Sequence, residues 1–466
     1  MFFIDFCGRL CYYVVAVAFS DVKLVLVERI IIMAVINIDR NKIVKKMKPM
    51  HGGGQPPSPT SDGMYHYLAE AGIPFSRLHD VGGAFGSNRF VDIPNIFRDF
   101  DADENDPANY DFTFTDLLVT NLVRSGIEPY YRLGVTIENQ ALIKPYYTVP
   151  PKDFAKWARI CEHIIMHYTE GWADGFKYKI RYWEIWNEPE VQDKMMWNGT
   201  PEEFYELYSV AAKHLKARFP HLKIGGYASC GFYAIAPVSY VDPTTQLKGT
   251  IPPNAHEQSL MDFFYGFFAY IKEHNAPIDF FSWHNYAGVD RVERMDAWLH
   301  EELEKLGYGG LETHINEWNP YPQEYGTAHH SASVAGMMIA MQRGFTDVMC
   351  IYDMRANTAP YCPLFDIKTK KPIHAYYSMV AFNQLYKLGN EVECACDTKG
   401  LYAVAASDGK RHAVLISNLT KKTQPLRIDG VDLTGARFYV IDQERLLSWS
   451  APIHNVLPNE VFLIEW

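Results

Sequence analysis

Along most of the chain, short apolar runs alternate with amphipathic segments of helical length. The runs predict eight strands, at residues 48–52, 73–80, 126–135, 180–188, 223–228, 278–287, 313–318 and 347–355. The segments between and after them predict helices at 62–71, 112–125, 152–168, 201–219, 257–275, 291–306, 330–343 and 373–388. Because a helix follows each strand, we expect parallel βα units that close into a (β/α)8 TIM barrel, with a doubly wound sheet as the alternative.

The pattern changes after Gly389. Runs rich in Tyr, Val and Leu, such as GLYAVAA, RHAVLISNL and VFLIEW, are now separated by turn signals such as SDGK. Short strands at this spacing predict a small antiparallel β-sandwich. An earlier run from Met33 to Asp39 has no helix of its own and is expected to join that sandwich. We therefore predict an N-terminal segment at 1–44, the barrel at 45–390 and the sandwich domain at 391–466.

Length and charge limit the classes of protein. A chain of 466 residues suits one barrel plus a smaller domain. The 55 acidic and 44 basic side chains give a formal net charge of -11 without the basic stripe that a phosphate backbone requires, so we expect no nucleic-acid partner. We also expect no membrane partner, and a homo-oligomer remains open. Aromatic residues make up 14% of the chain, which core packing explains for the most part.

The cysteines and the N-terminus bear on the compartment. The eight cysteines form no C-x-x-C pair and show no metal-like spacing, which favours free thiols in a reducing, cytoplasmic environment. Residues 10–20 (LCYYVVAVAFS) follow a single Arg9 and weakly resemble a signal peptide, but the run is too short to span a bilayer. A secreted or periplasmic location stays open, as does a natural start at Met33.

Two glutamates are the strongest chemical signal. Glu188 lies in IRYWEIWNEPE and Glu317 in THINEWNP, each at the end of an apolar predicted strand. A lone glutamate is most often a solvated surface charge. However, charge at the C-terminal end of a barrel strand is typical of catalytic residues, and two facing carboxyl groups are what glycosidic bond hydrolysis needs. We interpret the pair as catalytic.

Other polar and aromatic residues are expected at the same barrel mouth, because the C-terminal ends of the strands converge there. The remaining candidates are the supporting residue Arg77 and the substrate-binding residues His79, Asp80, Asn187, His284, Tyr286 and Trp318.

Each candidate has a chemical role and a structural alternative. Asn187 can donate to a sugar 2-hydroxyl, and Tyr286 can donate to a catalytic carboxylate and keep it ionised. Arg77 can instead be a buried partner of the carboxylates, and a single histidine is more often a core residue than a ligand. Trp318 directly follows a glutamate and is a candidate sugar platform. We predict no cofactor and no metal, because no H-x-H or H-E-x-x-H spacing is present.

These motifs resemble a known group of enzymes. Asn-Glu-Pro after the fourth strand, His-x-Tyr after the sixth and Glu-Trp after the seventh resemble the clan A retaining glycoside hydrolases. The stretch WNEPEVQDKMMWNGTPEEFYELY at 186–208 is similar to glycoside hydrolase family 39 in particular. This resemblance implies that Glu188 is the acid/base and Glu317 the nucleophile. It also implies a β-xylosidase-like, exo-acting enzyme that acts on an oligosaccharide or glycoside of plant type.

The chain departs from the family pattern in two loops, which leaves the sugar open. YYRLGVTIEN replaces the expected third-strand ending, and GAFGSNRFVDIPNIFRDFDADEND forms an unusual second loop. An iduronidase-like or arabinose-releasing specificity is therefore an alternative. A barrel that binds carbohydrate without hydrolysing it is the rival of a different class.

Overall fold

The computed structural model describes residues 10–12, 30–59, 63–81, 90–137, 148–191, 194–241, 248–356 and 361–466. Its central feature is a closed barrel of eight strands that pair in parallel. The predicted (β/α)8 barrel is therefore confirmed, and the doubly wound alternative is wrong. The strands are β1 (Gly52–Gly54), β2 (Phe75–Leu78), β3 (Glu128–Leu133), β4 (Tyr182–Ile185), β5 (Lys223–Ser229), β6 (Phe280–Asn285), β7 (Glu312–Trp318) and β8 (Val348–Ile351).

A helix follows each barrel strand. The helices are α1 (Tyr65–Glu70), α2 (Thr113–Arg124), α3 (Phe154–Thr169), α4 (Pro201–Arg218), α5 (Ala255–Glu273), α6 (Val289–Leu306), α7 (Ala328–Arg343) and α8 (His374–Leu388). Helices α4 and α5 begin with capping boxes at Thr200 and Asn254. Smaller elements that we did not predict are the helix Ile93–Ile96 and two antiparallel pairs, Leu10–Tyr12 with Ile30–Ile32 and Ser239–Val241 with Lys248–Thr250.

The barrel interior changes from apolar to charged along the strand direction. A layer near the N-terminal ends of the strands consists of Phe75, Tyr130, Tyr182, Phe280, Val348 and Cys350. Successive side chains of a strand point to opposite faces, so residues two positions further on face the interior again. At three of these strands the next inward residues are Arg77, Glu184 and Ser282, all buried. Barrel closure thus collects polar side chains beneath the mouth.

The C-terminal region forms a mixed sheet with one N-terminal strand. Its strands are β9 (Asn390–Cys396), β10 (Leu401–Ser407), β11 (His412–Asn418), β12 (Gln424–Asp429), β13 (Arg437–Ile441), β14 (Ser448–Ser450), β15 (Asn455–Val456) and β16 (Val461–Glu465). The strand Ala34–Lys46 lies between β9 and β12 and pairs antiparallel with the first and parallel with the second. This mixed sheet fits the predicted small C-terminal sandwich and includes the early strand that we expected to join it, but that strand pairs in parallel with β12 where we expected antiparallel pairs alone.

The two faces of this sheet serve different cores. Val414 and Ile416 of β11 belong to a core of the sheet's own, whereas Ala413 and Leu415 belong to the large barrel core. The alternation of apolar residues in β11 therefore docks the sheet on the barrel. No helix among the described residues is long and apolar enough to cross a membrane. Most of the signal-like run, residues 13–20, lies outside the described residues.

Candidate active site

The backbone turns sharply where β4 ends. Trp186 and Glu188 adopt left-handed φ angles of 71° and 42°, although neither is glycine. Such a conformation costs about 1–2 kcal/mol for a residue with a side chain and is typical of functional sites. The amide of Glu188 donates to the carbonyl of Ala228 in β5, 3.0 Å away, and so fixes the turn. The turn presents the Glu188 side chain to the barrel mouth.

Glu317 reaches the same space by means of a β-bulge. The register of β7 shifts at Asn316 relative to both neighbouring strands. Asn316 donates to the buried carboxylate of Glu184, while Glu317 contacts Arg77. Because the bulge adds one residue, both side chains point into the barrel instead of alternating. The sequence pattern alone does not reveal this shift.

The two glutamates face each other across the mouth. One carboxylate oxygen of each lies, together with a ring nitrogen of His284, in a group whose atoms are all within 4.8 Å of one another. Retaining glycosidases place their carboxyl groups about 5–5.5 Å apart, whereas inverting enzymes need about 6.5–9.5 Å to fit a water. The spacing therefore fits direct attack by one carboxylate. Three such ligand atoms can also contact a cation, and the absence of a metal stays a prediction.

Glu188 is in the environment of an acid. Burial raises the pKa of its carboxyl group to about 7, while the positive charge of Arg77 opposes this shift. Nδ1 of His284 lies 2.6 Å from Oε1 of Glu188. Burial lowers the pKa of His284 to about 4. A carboxyl group with this pKa is protonated in weakly acidic solution and is available to a leaving group.

Glu317 is surrounded by donors. The Tyr286 hydroxyl donates to Oε1, and Nη1 of Arg77 donates to Oε2 at 3.2 Å. Burial raises the pKa of Glu317 and the charge of Glu188 raises it further, while His284, Arg77 and Tyr286 lower it. The contacts we expected for Tyr286 and Arg77 are present.

Asn187 is held in place from below. Its Oδ1 accepts a hydrogen bond of 2.5 Å from Nη2 of Arg77. With the oxygen occupied in this way, the amide nitrogen remains available as a donor. This orientation is the one required for donation to a sugar hydroxyl.

His79 and Asp80 lie at the end of β2 and form a second polar group. Nε2 of His79 is 3.3 Å from Asp80, and its Nδ1 accepts from Arg132 at 3.2 Å. Burial lowers the pKa of His79 well below its usual value, so the ring is neutral. Burial raises the pKa of Asp80 to about 6. Arg132 is in turn paired with Asp92 at 2.7 Å, so a buried network supports both residues.

Trp318 does not occupy the position that we expected. Its side chain is fully buried and belongs to the hydrophobic core of the barrel. Because neighbouring residues of a strand point to opposite faces, the inward direction of Glu317 places Trp318 on the outer face of β7. This burial favours a packing role over that of a sugar platform.

Several polar residues of the site were not identified from the sequence. Glu184 lies within β4 and binds Arg77, and Cys230 is a side-chain hydrogen-bond partner of Glu188. Tyr352 lies beyond β8 and bonds to Asp80. One signal was available for Glu184, since it is a single charge inside an otherwise apolar strand. The other two follow strands without a distinctive motif.

Taken together, a (β/α)8 barrel with two facing glutamates and a donor set around one of them is the arrangement that hydrolysis of a glycosidic bond requires. Residues 88–305 match the family model of glycosyl hydrolases family 39. This match covers slightly less than half of the chain and supports the resemblance seen in the sequence: the chain is similar to the family 39 enzymes.

Two curated relatives are similar to this chain in sequence, and two solved structures share its fold. A β-xylosidase of Geobacillus stearothermophilus is 26% identical over 230 residues, which are 47% of this chain but 39% of that protein. A β-xylosidase of Caldicellulosiruptor saccharolyticus is 23% identical over 70% of this chain and 68% of its own length. Among solved structures, a glucosidase from Croceicoccus marinus superposes with a TM-score of 0.72 at 20% identity, covering 93% of this chain and 98% of that one. A family 39 β-xylosidase from Caulobacter crescentus gives 0.65 at 18% identity, covering 92% and 99%.

Proposed function

We propose that this protein is a retaining, exo-acting glycoside hydrolase, β-xylosidase-like, that releases terminal sugars from plant-type oligosaccharides or glycosides. The observation that carries the proposal is the facing pair Glu188 and Glu317: one carboxylate oxygen of each lies within 4.8 Å of the other, close to the spacing of retaining enzymes. The names of the two curated relatives, both β-xylosidases, support the choice of sugar.

In the first step, Glu317 attacks the anomeric carbon while Glu188 protonates the departing glycosidic oxygen. The C–O bond to the leaving group breaks as a covalent glycosyl-enzyme ester forms on Glu317. Arg77 and Tyr286 contact the carboxylate of Glu317 and stabilise its ionised form before the attack. Asn187 donates to the sugar 2-hydroxyl, a contact that strengthens as the ring gains oxocarbenium character.

In the second step, Glu188 acts as a base. Glu188 gave up its proton in the first step and is now a carboxylate. It removes a proton from a water molecule as that water attacks the anomeric carbon on the face opposite to Glu317. The ester bond breaks, Glu317 leaves as a carboxylate, and Glu188 is protonated again. Two inversions at the anomeric carbon return the product with the configuration of the substrate.

A panel of nitrophenyl glycosides tests the proposal. We expect the β-D-xyloside to be hydrolysed fastest, and NMR to show the β-anomer of xylose as the first product. Faster hydrolysis of an α-L-arabinofuranoside, an α-L-iduronide or a β-D-glucoside would reassign the sugar but keep the mechanism. An α-anomer as first product of the β-xyloside would disprove retention. No hydrolysis of any glycoside, with binding of xylo-oligosaccharides in calorimetry, would instead indicate a carbohydrate-binding barrel.

A further inference from the structure

Glu184 is a fully buried carboxylate at the centre of the barrel, below the two catalytic glutamates. Its Oε2 accepts a hydrogen bond of 2.8 Å from Nε of Arg77 and lies 2.8 Å from Nη2 of the same guanidinium. Its Oε1 accepts a hydrogen bond of 2.6 Å from the Ser282 hydroxyl and one from the Asn316 amide. Both oxygens are thus occupied by donors from β2, β6 and β7.

Arg77 is the link between this carboxylate and the reaction. The guanidinium is 1% exposed and divides its nitrogens among three acceptors: Glu184, Asn187 and Glu317. The contact with Glu184 is shorter than that with Glu317, at 2.8 Å against 3.2 Å. A planar guanidinium that is fixed by one carboxylate presents its other nitrogens in set directions.

We propose that Glu184 is a positioning residue: it holds Arg77 between Glu317 and Asn187 and limits the positive charge that Arg77 presents to the nucleophile. This inference rests on the proposed function, because its reaction is the hydrolysis assigned above. Glu184 touches neither the substrate nor the reacting atoms.

The geometry also explains why a carboxylate is needed. Without an opposing charge nearby, a buried guanidinium would bind Glu317 so strongly that the nucleophile would lose reactivity, since basicity and nucleophilicity fall together. With Glu184 present, the three side chains of Glu184, Arg77 and Glu317 carry one net negative charge together. The carboxylate of Glu317 therefore stays reactive enough to attack. Asn316 further couples Glu184 to the nucleophile, because it precedes Glu317 and donates to Glu184.

Two variants separate the charge of Glu184 from its shape. Glu184→Gln keeps the length and removes the charge, so the full charge of Arg77 should lower the pKa of Glu317. We expect the acidic limb of the kcat/KM profile to move to lower pH by about one unit, from Coulomb's law at an effective dielectric constant of about 20 or more. Glu184→Asp keeps the negative charge inside the barrel, so the net charge near Glu317 is unchanged and the acidic limb should stay in place. The shorter side chain no longer reaches Arg77, so the positioning is lost.

Both variants should lower kcat by about tenfold or more and change KM less than about threefold, because Arg77 and Asn187 act chiefly in the transition state. Glu312→Gln is the matched control. Glu312 begins β7, about 16 Å along the strand from Glu317, and pairs with Lys223 at 3.1 Å, so neither kcat nor the limb should change. A role limited to stability would lower the midpoint of urea unfolding in both variants, but it would leave kcat unchanged in both and the acidic limb unmoved in Glu184→Gln. That result would overturn the inference.

A titration without substrate separates this inference from the proposed function. In protein labelled with 13C at glutamate carboxyl groups, the Glu317 resonance is assigned by its loss in Glu317→Gln, and its pKa should fall in Glu184→Gln. If wild-type protein hydrolyses no glycoside, the proposed function fails while this titration still decides the charge effect. An unmoved or raised pKa of Glu317 in Glu184→Gln would overturn the inference. If that variant does not fold, wild-type kcat in Glu184→Asp would overturn it, and reduced kcat with an unmoved limb would support it.

Discussion

Nδ1 of His284 lies 2.6 Å from Oε1 of Glu188, which places a neutral imidazole directly against the carboxyl group that we propose as the acid/base. Burial lowers the pKa of His284 to about 4 and raises the pKa of Glu188 to about 7. Between these two values the proton of the pair therefore resides on Glu188. Burial therefore keeps the Glu188 carboxyl group protonated in weakly acidic solution, as a general acid requires.

The first prediction concerns the basic limb of the pH profile. Activity requires protonated Glu188, so kcat/KM should fall as pH rises through about 7, the pKa that burial gives this group. Glu188→Gln has no proton to lose at this position and should abolish the limb. With leaving groups that need protonation, we expect its rate to fall about 10²–10⁴-fold. The measurement is kcat/KM against pH for an alkyl and a dinitrophenyl xyloside.

Glu190 supplies the control for this assignment. It lies two residues further on, its Oε1 accepts a hydrogen bond of 2.8 Å from the amide of Cys230, and burial raises its pKa to about 8. Glu190→Gln should keep a basic limb near pH 7. If the limb disappears in this variant and persists in Glu188→Gln, the acid has been assigned to the wrong carboxyl group.

The second prediction concerns Tyr286. Its hydroxyl donates to Glu317 and thereby favours the ionised nucleophile. Tyr286→Phe should raise the pKa of Glu317, so the acidic limb should move to higher pH, and kcat should fall about 10–100-fold. Tyr205→Phe is the matched control, because this hydroxyl donates to the carbonyl of Phe263 between α4 and α5. Equal profiles for both variants would argue against a contact with the nucleophile.

The third prediction concerns the contribution of the second loop to stability. Asp92 pairs with buried Arg132 at 2.7 Å and accepts a hydrogen bond of 2.8 Å from the amide of Thr136. Asp92→Ala leaves a buried guanidinium without its partner and should lower the free energy of unfolding by about 3–5 kcal/mol. Asp101→Ala removes an exposed partner of Lys152, with both side chains more than 70% exposed, and should leave the free energy of unfolding nearly unchanged. Urea unfolding measures both, and similar losses would contradict the difference in burial.

The sequence predicted the order of elements well, because apolar runs and helical segments alternate regularly. All eight predicted barrel runs contain or overlap a strand, yet the first was placed at 48–52 where the structure has Gly52–Gly54. Glycine has low strand propensity, so three in a row are not expected to form one. At Gly52 a Cβ atom would lie 2.5 Å from the backbone carbonyl oxygen of Met349 on β8, so glycine permits the close approach of these two strands.

The directions of side chains at the site were harder to infer. Because Glu188, His284 and Glu317 lie at the C-terminal ends of predicted strands, we expected them at one barrel mouth, and the structure brings them together. The bulge at Asn316 and the left-handed turn at Trp186 follow from tertiary contacts, which a single sequence does not show. Trp318 was misjudged for the same reason, since adjacency in sequence does not mean the same face of a strand.

The last prediction separates the chemical roles of the two glutamates by stereochemistry. Glu317→Ala cannot form the glycosyl-enzyme ester, so turnover should be lost. Azide is small enough to occupy the vacated carboxylate position and attacks the anomeric carbon from that side. A β-glycoside should then give the α-glycosyl azide, which is inverted. Proton NMR of the product assigns its configuration.

Glu188→Ala keeps the nucleophile, so an aryl glycoside whose leaving group needs no proton should still form the ester. Azide then attacks the ester from the side that Glu188 formerly occupied, and two inversions should give the β-glycosyl azide, which is retained. The same reagent thus yields opposite anomers from the two variants, and Glu190→Ala should yield no azide product. Retained azide from Glu317→Ala together with inverted azide from Glu188→Ala would exchange the two roles. Wild-type rates in either variant would place the reaction on other residues.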